Sequence, residues 1–234
     1  MRRFFGEKNG DKIVIKGDEY NHLKNVLRLK VGAEVLVSVN TPVEYVCEIV
    51  SLGKNGATCK INGEHECVGN PNKDITLFQA ITKGPKFEFI VQKATEIGIT
   101  RVIPFVSDFV IAKVSEHKKD RLDGIIENAC KQCERTIKTI VEDVETVDSI
   151  IEKFKDYDIV LFANERTDVG KEITKLTKYK KIGIIVGSEG GFSQREKERF
   201  IDAGTVSVSL GRRILRCETA SVAMMSMVSI MSGN

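Results

Sequence analysis

The sequence predicts a two-part chain: a small β-barrel over residues 1–70, then an α/β domain with a largely parallel sheet over residues 74–234. Three observations predict it. Short β-branched segments follow one another before residue 70 with a single helical stretch among them. Periodicity then stops at Val68-Gly69-Asn70-Pro71-Asn72-Lys73, a linker composition. Beyond it, strand and helix patterns alternate, which is how a chain builds a parallel sheet covered by helices.

In the first part, residues 12–15, 34–39, 44–50 and 57–61 carry alternation or β-branched enrichment and read as strands. The helix between the first two has Asp18 as candidate N-cap and Tyr20, Leu23, Val26 and Leu27 on one face. In the second part, residues 75–81 form a strand. Residues 87–97 form a helix with Phe87, Ile90, Val91 and Ala94 on one side, closed by Gly98. Residues 101–106 are a strand whose Pro104 indicates an edge or an irregular end. A long helix over 120–137 and a shorter one over 147–154 precede an apolar strand at 158–163 and a helix at 171–176. Strand 182–186, helix 194–203 and strand 206–210 follow. In the last helix Ala220, Ala223, Met224, Met227, Val228 and Met231 recur at helical spacing.

Bulk properties narrow the class. With 234 residues, 41% hydrophobic and 29% charged, the chain is long enough for a real core and has the composition of a soluble protein. A formal charge of +3 does not by itself argue nucleic-acid binding, so any basic face must be local. No apolar run approaches the roughly 20 residues of a membrane span. The N-terminus lacks an apolar run and cleavage site, so a cytoplasmic protein is expected, with its six cysteines reduced. Cys130-Lys131-Gln132-Cys133 has the spacing of half a zinc site, but Cys47, Cys59 and Cys67 offer no matching pair, and no metal is expected.

Two loops carry the chemistry. Gly187-Ser188-Glu189-Gly190-Gly191-Phe192-Ser193 follows strand 182–186, and its three glycines permit close approach of a ligand to the backbone. It has neither P-loop nor dinucleotide spacing, and a tight strand-to-helix turn is the alternative. Residues 210–220 (LGRRILRCETA) place Arg212, Arg213 and Arg216 around Ile214 and Leu215 ahead of an apolar helix. A helix cap would account for Glu218 or Thr219 but not for three guanidinium groups, which suit phosphate or base recognition.

Together GSEGGFS with Glu196, and LGRRILRCETA, resemble the RsmE family of S-adenosylmethionine-dependent methyltransferases, which act on uridine N3 of 16S ribosomal RNA. The resemblance runs along most of the chain. His22-Leu23 with Val26-Leu27-Arg28-Leu29 and Gly32 is similar to the family's first motif. Lys83, Lys86-Phe87-Glu88 and Gln92 to Gly98 are similar to its second, and Asn128-Ala129 with Gln132 and Arg135 to its third. Three departures stand out: Ser188 replaces a proline, Ser107-Asp108-Phe109-Val110 replaces an Arg-Ser pair, and no proline follows Arg135.

The resemblance implies a PUA-like barrel joined to a SPOUT domain with a trefoil knot, against the general rarity of knots. It implies an S-adenosyl-L-methionine site at three loops: Phe162, Ala163 and Asn164; Val186, Gly187, Glu189, Gly190 and Gly191; Leu210, Gly211, Ile214 and Leu215. It also implies a homodimer through the knot region and last helix, acting on 16S ribosomal RNA or the small subunit. Uridine N3 must lose a proton to become nucleophilic. Arg216 is the candidate to stabilise the resulting charge, and Glu218 or Glu189 the candidate base, with a capping role as the alternative for each acid. Candidate RNA contacts are Arg2, Arg3, His22, Arg28, Arg135 and Arg213, supplemented by Lys24 and Lys30; His22 has a structural hydrogen-bonding role as its alternative. Lys113, Lys118, Lys119 and Arg121 read as a solvated helix approach. Two other readings stay open: methylation of a ribose 2′-OH or another base, and a non-catalytic RNA-binding assembly factor.

Overall fold

The computed structural model describes residues 1–83, 85–109, 119–165 and 176–234. These divide into two compact units, Met1–Asn70 with Cys130–Lys138, and Pro71–Ala129 with Thr139–Asn234.

In the first unit six strands form one sheet: β1 (Arg2–Phe5), β2 (Glu7–Asn9), β3 (Lys12–Ile15), β4 (Glu34–Ser38), β5 (Val43–Leu52) and β6 (Ala57–Glu66), in the order β1-β4-β5-β6-β3-β2. β1 and β2 are separated by Gly6 alone yet occupy opposite ends of that order. The sheet therefore curls until its edges meet, the barrel geometry expected. At the junction a Cβ on Gly6 would stand 2.7 Å from Ile13 Cγ2, so the bend requires a residue without a side chain. Phe4, Ile13, Ile15, Leu23, Val35 and Val37 are among the buried core. β1 and β2 escape pattern reading because β1 opens on Arg2-Arg3 without alternation and β2 is three exposed polar residues.

The helix of this unit begins at α1 (Gly17–Asn21), capped from Lys16 rather than Asp18, and passes into a π-helical turn over His22–Val26. Leu27 N donates to His22 O at 2.9 Å, an i→i+5 bond. The wider turn rotates Val26 outward, to 63% exposure, while Tyr20 and Leu23 stay buried. Residues 130–138 are tied to the barrel through Asn70, whose Oδ1 accepts from Thr136 N at 3.0 Å and Ile137 N at 3.1 Å.

In the second unit every strand pairing is parallel. β7 (Asp74–Ala80), β8 (Arg101–Val106), β10 (Glu145–Thr146), β11 (Ile159–Ala163), β12 (Lys181–Val186) and β13 (Val206–Val208) run in the order β10-β8-β7-β12-β11-β13, and β9 (Ile140–Val141) also pairs with β8. β9 pairs with Arg101 and Val102 and β10 with Phe105 and Val106, so Pro104 falls in the gap between them. The strand is therefore not an edge and does not end at Pro104, which pairs with Gln79 of β7. The irregularity expected there falls instead on the opposite side, where the neighbouring strand is interrupted.

The helices are α2 (Pro85–Ile97), α3 (Lys119–Cys133), α4 (Val147–Lys153), α5 (Gln194–Asp202) and α6 (Cys217–Ser232). α2 ends before Gly98, whose φ of +94° is left-handed, as expected. α3 stops at Cys133, short of the expected 137, because Glu134 takes a φ of +63° that breaks the helix. On one face of the sheet Phe162, Phe192 and Phe200 meet edge-on with centroids 5.3 Å apart, pairs worth about 0.5–1.5 kcal/mol each beyond area burial. Lys113, Lys118 and residues 171–175 of an expected helix lie outside the described residues, and Arg121 pairs with Glu88 at 2.8 Å. Among the described residues no helix is long and apolar enough to cross a membrane.

Candidate active site

Three adjacent strands, β12, β11 and β13, end at the same carboxyl edge, and the loops that leave them surround one cavity of about 470 Å³. Such an edge is where open parallel sheets bind ligands, because unpaired backbone groups and loop side chains converge there.

After β11, Ala163, Asn164 and Glu165 line the cavity, and Asn164 N donates to Val208 O at 2.9 Å, fixing this loop to β13. Phe162, expected here, points the other way: it is fully buried in the aromatic cluster. Strand alternation explains this, since neighbours on a strand face opposite sides.

After β12, Val186, Gly187, Ser188, Glu189, Gly190 and Gly191 line the cavity. Gly191 N donates to Ser188 O at 3.0 Å, which closes a tight turn. A Cβ on Gly190 would lie 2.8 Å from Phe109 Cβ, so the loop packs against the segment after β8 with no room for a side chain. Ser193 caps α5 in a reciprocal box: its Oγ accepts from Glu196 N at 3.2 Å, and Glu196 Oε2 accepts from Ser193 N at 2.8 Å. The other Glu196 oxygen accepts from Asp108 N at 2.9 Å, and Ser193 Oγ donates to Asp108 Oδ2 at 2.6 Å. Asp108 and Phe109, part of the Ser107-Asp108-Phe109-Val110 sequence that stands in place of the family's Arg-Ser pair, thus brace the glycine loop.

After β13, Leu210, Gly211, Arg213, Ile214, Leu215 and Arg216 complete the wall, followed by Cys217 and Ala220. Ile214 is 87% exposed. Among the described residues Arg212, Arg213 and Arg216 have no ion-pair partner, so their guanidinium groups are available to an anionic ligand. The N-cap of α6 is Arg216, with no side-chain cap, so neither Glu218 nor Thr219 caps this helix. Glu218 does not line the cavity. It stands beside it with its Oε2 3.4 Å from Lys86 Nζ, and Lys86 in turn lies 3.1 Å from Glu189 Oε1.

The charges are mutually arranged. Burial works to raise the Glu189 carboxyl, but its own backbone N–H, Lys86 and the Lys83 backbone N–H hold it below the usual carboxylate range. The Cys217 thiol, with the Glu218 backbone N–H and Lys86, holds Glu218 low as well. Burial first, and then the two carboxylates, push the Cys217 thiol up to about 12, so it remains a hydrogen-bond donor. Both acids are ionised at neutral pH.

Behind the loops a buried relay connects the elements. Gln79 on β7 donates to Gly187 O at 3.2 Å and accepts from Ser221 in the second turn of α6 at 2.7 Å.

The expected RNA contacts separate into two groups. Arg2, His22 and Arg28 are exposed on the first unit. His22 lies near Phe4, their rings 6.4 Å apart in an edge arrangement. Arg3 is instead bound by Glu44 and by Glu134, and its side chain is 14% exposed. Arg135 is 1% exposed, and burial pushes its guanidinium pKa down, with the sulfurs of Cys130, Cys133 and Cys67 acting the other way. It is an internal residue of the first unit, not a surface contact. Among the described residues no three His, Cys, Asp or Glu groups are placed to hold a metal.

Sequence reasoning passed over Lys86 and Cys217 as site residues, whereas Glu165 lines the cavity in the first of the loops the resemblance implies. Lys86 lies within a motif already singled out, but its pairing with acids far along the chain has no signature in spacing.

The cavity suits a nucleoside-sized ligand with a cationic centre: its volume is that of a small-molecule site, glycine backbone lines one wall, and carboxylates stand at its rim. The RNA methyltransferase domain model matches residues 69–229, and the RNA methyltransferase PUA domain model matches residues 15–62. The ribosomal RNA small subunit methyltransferase E of Bacillus subtilis is 30% identical, covering 98% of this chain and 96% of that protein. The chain belongs to the ribosomal RNA small subunit methyltransferase E family. The Rickettsia conorii member is likewise 30% identical, over 95% of this chain and 91% of its own length. Among solved structures, the Neisseria gonorrhoeae member bound to S-adenosyl methionine superposes with a TM-score of 0.88 at 26% identity, covering 98% of this chain and 97% of that one. The first unit is thus PUA-like, and the second is the α/β methyltransferase fold.

Proposed function

We propose that this chain transfers a methyl group from S-adenosyl-L-methionine to N3 of a uridine in 16S ribosomal RNA. The observation that carries the reading is the cavity at the carboxyl edge of β12, β11 and β13, which joins glycine backbone, the ionised Glu189 and two arginines free of ion pairs, with Glu218 beside it at Lys86. Family membership supplies the substrate class, and the donor-bound relative supports the cofactor.

Bound there, the donor supplies a methyl group already activated on a sulfonium. The chain's own residues do the rest. Ala163, Asn164, Gly187, Gly190, Gly191, Leu210, Gly211 and Leu215 hold the donor, with Val186 and Ile214 adding apolar contact. Arg216 donates to the uracil oxygens as negative charge spreads onto them, which favours departure of the N3 proton. Glu189 or Glu218 accepts that proton. Arg213 in the second unit contacts RNA phosphate, and Arg2, His22 and Arg28 are the RNA contacts of the first unit.

The second unit is the catalytic domain, from which residues 130–138 of the 74–234 stretch are excluded because they group with the barrel. We read its C-terminal segment as threaded into a trefoil knot. Ala223, Met227 and Met231 on α6 are only partly buried and Ile230 is 78% exposed. We assign this face, with the knot loops, to a homodimer in the cytoplasm.

Ribosomal RNA from a strain lacking the gene, treated with the purified protein and donor and digested to nucleosides, should gain N3-methyluridine. Gain of a 2′-O-methyl nucleoside instead would move the reaction to the ribose, and no donor-dependent product on RNA or subunits would leave an RNA-binding assembly factor.

A further inference from the structure

Lys86 comes from the first turn of α2, outside all three cavity loops, yet its ammonium lies between two acids of the site. Nζ is 3.1 Å from Glu189 Oε1 on the loop after β12 and 3.4 Å from Glu218 Oε2 at the start of α6. The three side chains are 35%, 35% and 20% exposed, so they are partly shielded and still open to a substrate. We propose that Lys86 is a positioning residue for proton removal, holding Glu189 and Glu218 together and ionised at the cavity so that one of them receives the N3 proton. This rests on the uridine-N3 reading given above.

The physical reason is like-charge repulsion. Two carboxylates sharing a site do not both ionise readily unless a cation lies between them. Lys86 is that cation, and the two acids, Glu189 first, push its own pKa up. The other groups facing the cluster are the Cys217 thiol, which donates to Glu218 Oε2 at 3.1 Å, and the Lys83 backbone N–H at Glu189. Arg213, Arg216 and Glu165 line the same cavity. In the step itself the N3–H bond breaks and its proton goes to a carboxylate oxygen. The freed N3 pair takes the methyl carbon, and the carbon–sulfur bonding pair stays on sulfur as a neutral thioether.

The test is kcat against pH at saturating donor and RNA for wild type, Lys86→Met and Lys86→Arg, with donor affinity by calorimetry. Without the cation, Lys86→Met should lower kcat by about tenfold or more and move the acidic limb upward by about one pH unit. Donor affinity should change by less than about threefold, and Lys86→Arg should restore the limb. A Lys86→Met limb that stays in place, whatever the rate, overturns the proposal. If that variant does not fold, Glu189→Gln and Glu218→Gln decide: one of them must abolish the acidic limb, and its retention in both overturns the proposal. Nucleoside analysis of the wild-type product keeps the two claims apart. N3-methyluridine with an unmoved limb sinks only the role of Lys86, whereas a ribose-methylated product sinks the uridine-N3 reading itself.

Discussion

Ser221 Oγ donates to Gln79 Oε1 at 2.7 Å, and neither residue is exposed to solvent. Because Gln79 Nε2 also donates to the Gly187 carbonyl at 3.2 Å, this contact couples the position of α6 to the loop after β12. A buried glutamine near the carboxyl end of a parallel strand is costly unless both ends of its amide are satisfied. Here they are satisfied by the two segments that form opposite walls of the cavity.

Ser221→Ala should therefore destabilise the protein by about 1–2 kcal/mol, the cost of an orphaned buried acceptor. Urea unfolding measures it. Donor affinity should fall several-fold in the same variant, since Gln79 loses one of its anchors. Unchanged stability with unchanged affinity would remove the relay from the account.

The Glu196 carboxylate accepts from two backbone N–H groups at once, Ser193 N in the capping box and Asp108 N. Glu196→Ala should cost about 1–2 kcal/mol, combining the loss of the capping-box acceptor with a part-buried Asp108 N–H left without its partner. Thermal unfolding is the check. A loss of a few tenths would mean that solvent replaces the carboxylate without penalty.

Gly190→Ala places a Cβ 2.8 Å from Phe109 Cβ, a distance that real side chains do not occupy. Donor affinity should drop by about tenfold, equivalent to roughly 1.4 kcal/mol. The double variant with Phe109→Gly should recover most of it, because it removes the opposing atom. Failure to recover would place the strain elsewhere in the loop.

Arg216→Ala should lower kcat by about a hundredfold while changing donor affinity by less than about threefold, as expected of a group that acts on charge developing in the transition state. Equal losses in both quantities would make it a binding residue.

The broad architecture was legible in the sequence because period and composition reported it: strands at Lys12–Ile15 and Ile159–Ala163 and the glycine after α2 fall where the pattern put them. Features set by distant contacts were not. Of the apolar stripe read on α6, Met224 and Val228 lie on its buried face, while Ala220, Ala223, Met227 and Met231 flank it. The buried face runs through Cys217, Ser221, Met224, Met225, Val228, Ser229 and Ser232. Its serines are invisible to hydrophobicity because they are buried through partners such as Gln79 and Ile97 O, the latter 3.1 Å from Ser229 Oγ. Arg135 misled for the same reason in reverse, as a charged residue that the first unit encloses. In the candidate site, the glycines and arginines were legible as loop chemistry. Lys86 was not assigned to it, since its place depends on two acids in other segments.

The most direct test of the central claim locates the methyl group. Unmodified small subunits or their RNA are incubated with the protein and donor carrying a deuterated methyl, and the labelled nucleoside is fragmented by tandem mass spectrometry. The label should appear on the uracil fragment, with the retention of N3-methyluridine. Label on the ribose fragment would contradict that claim.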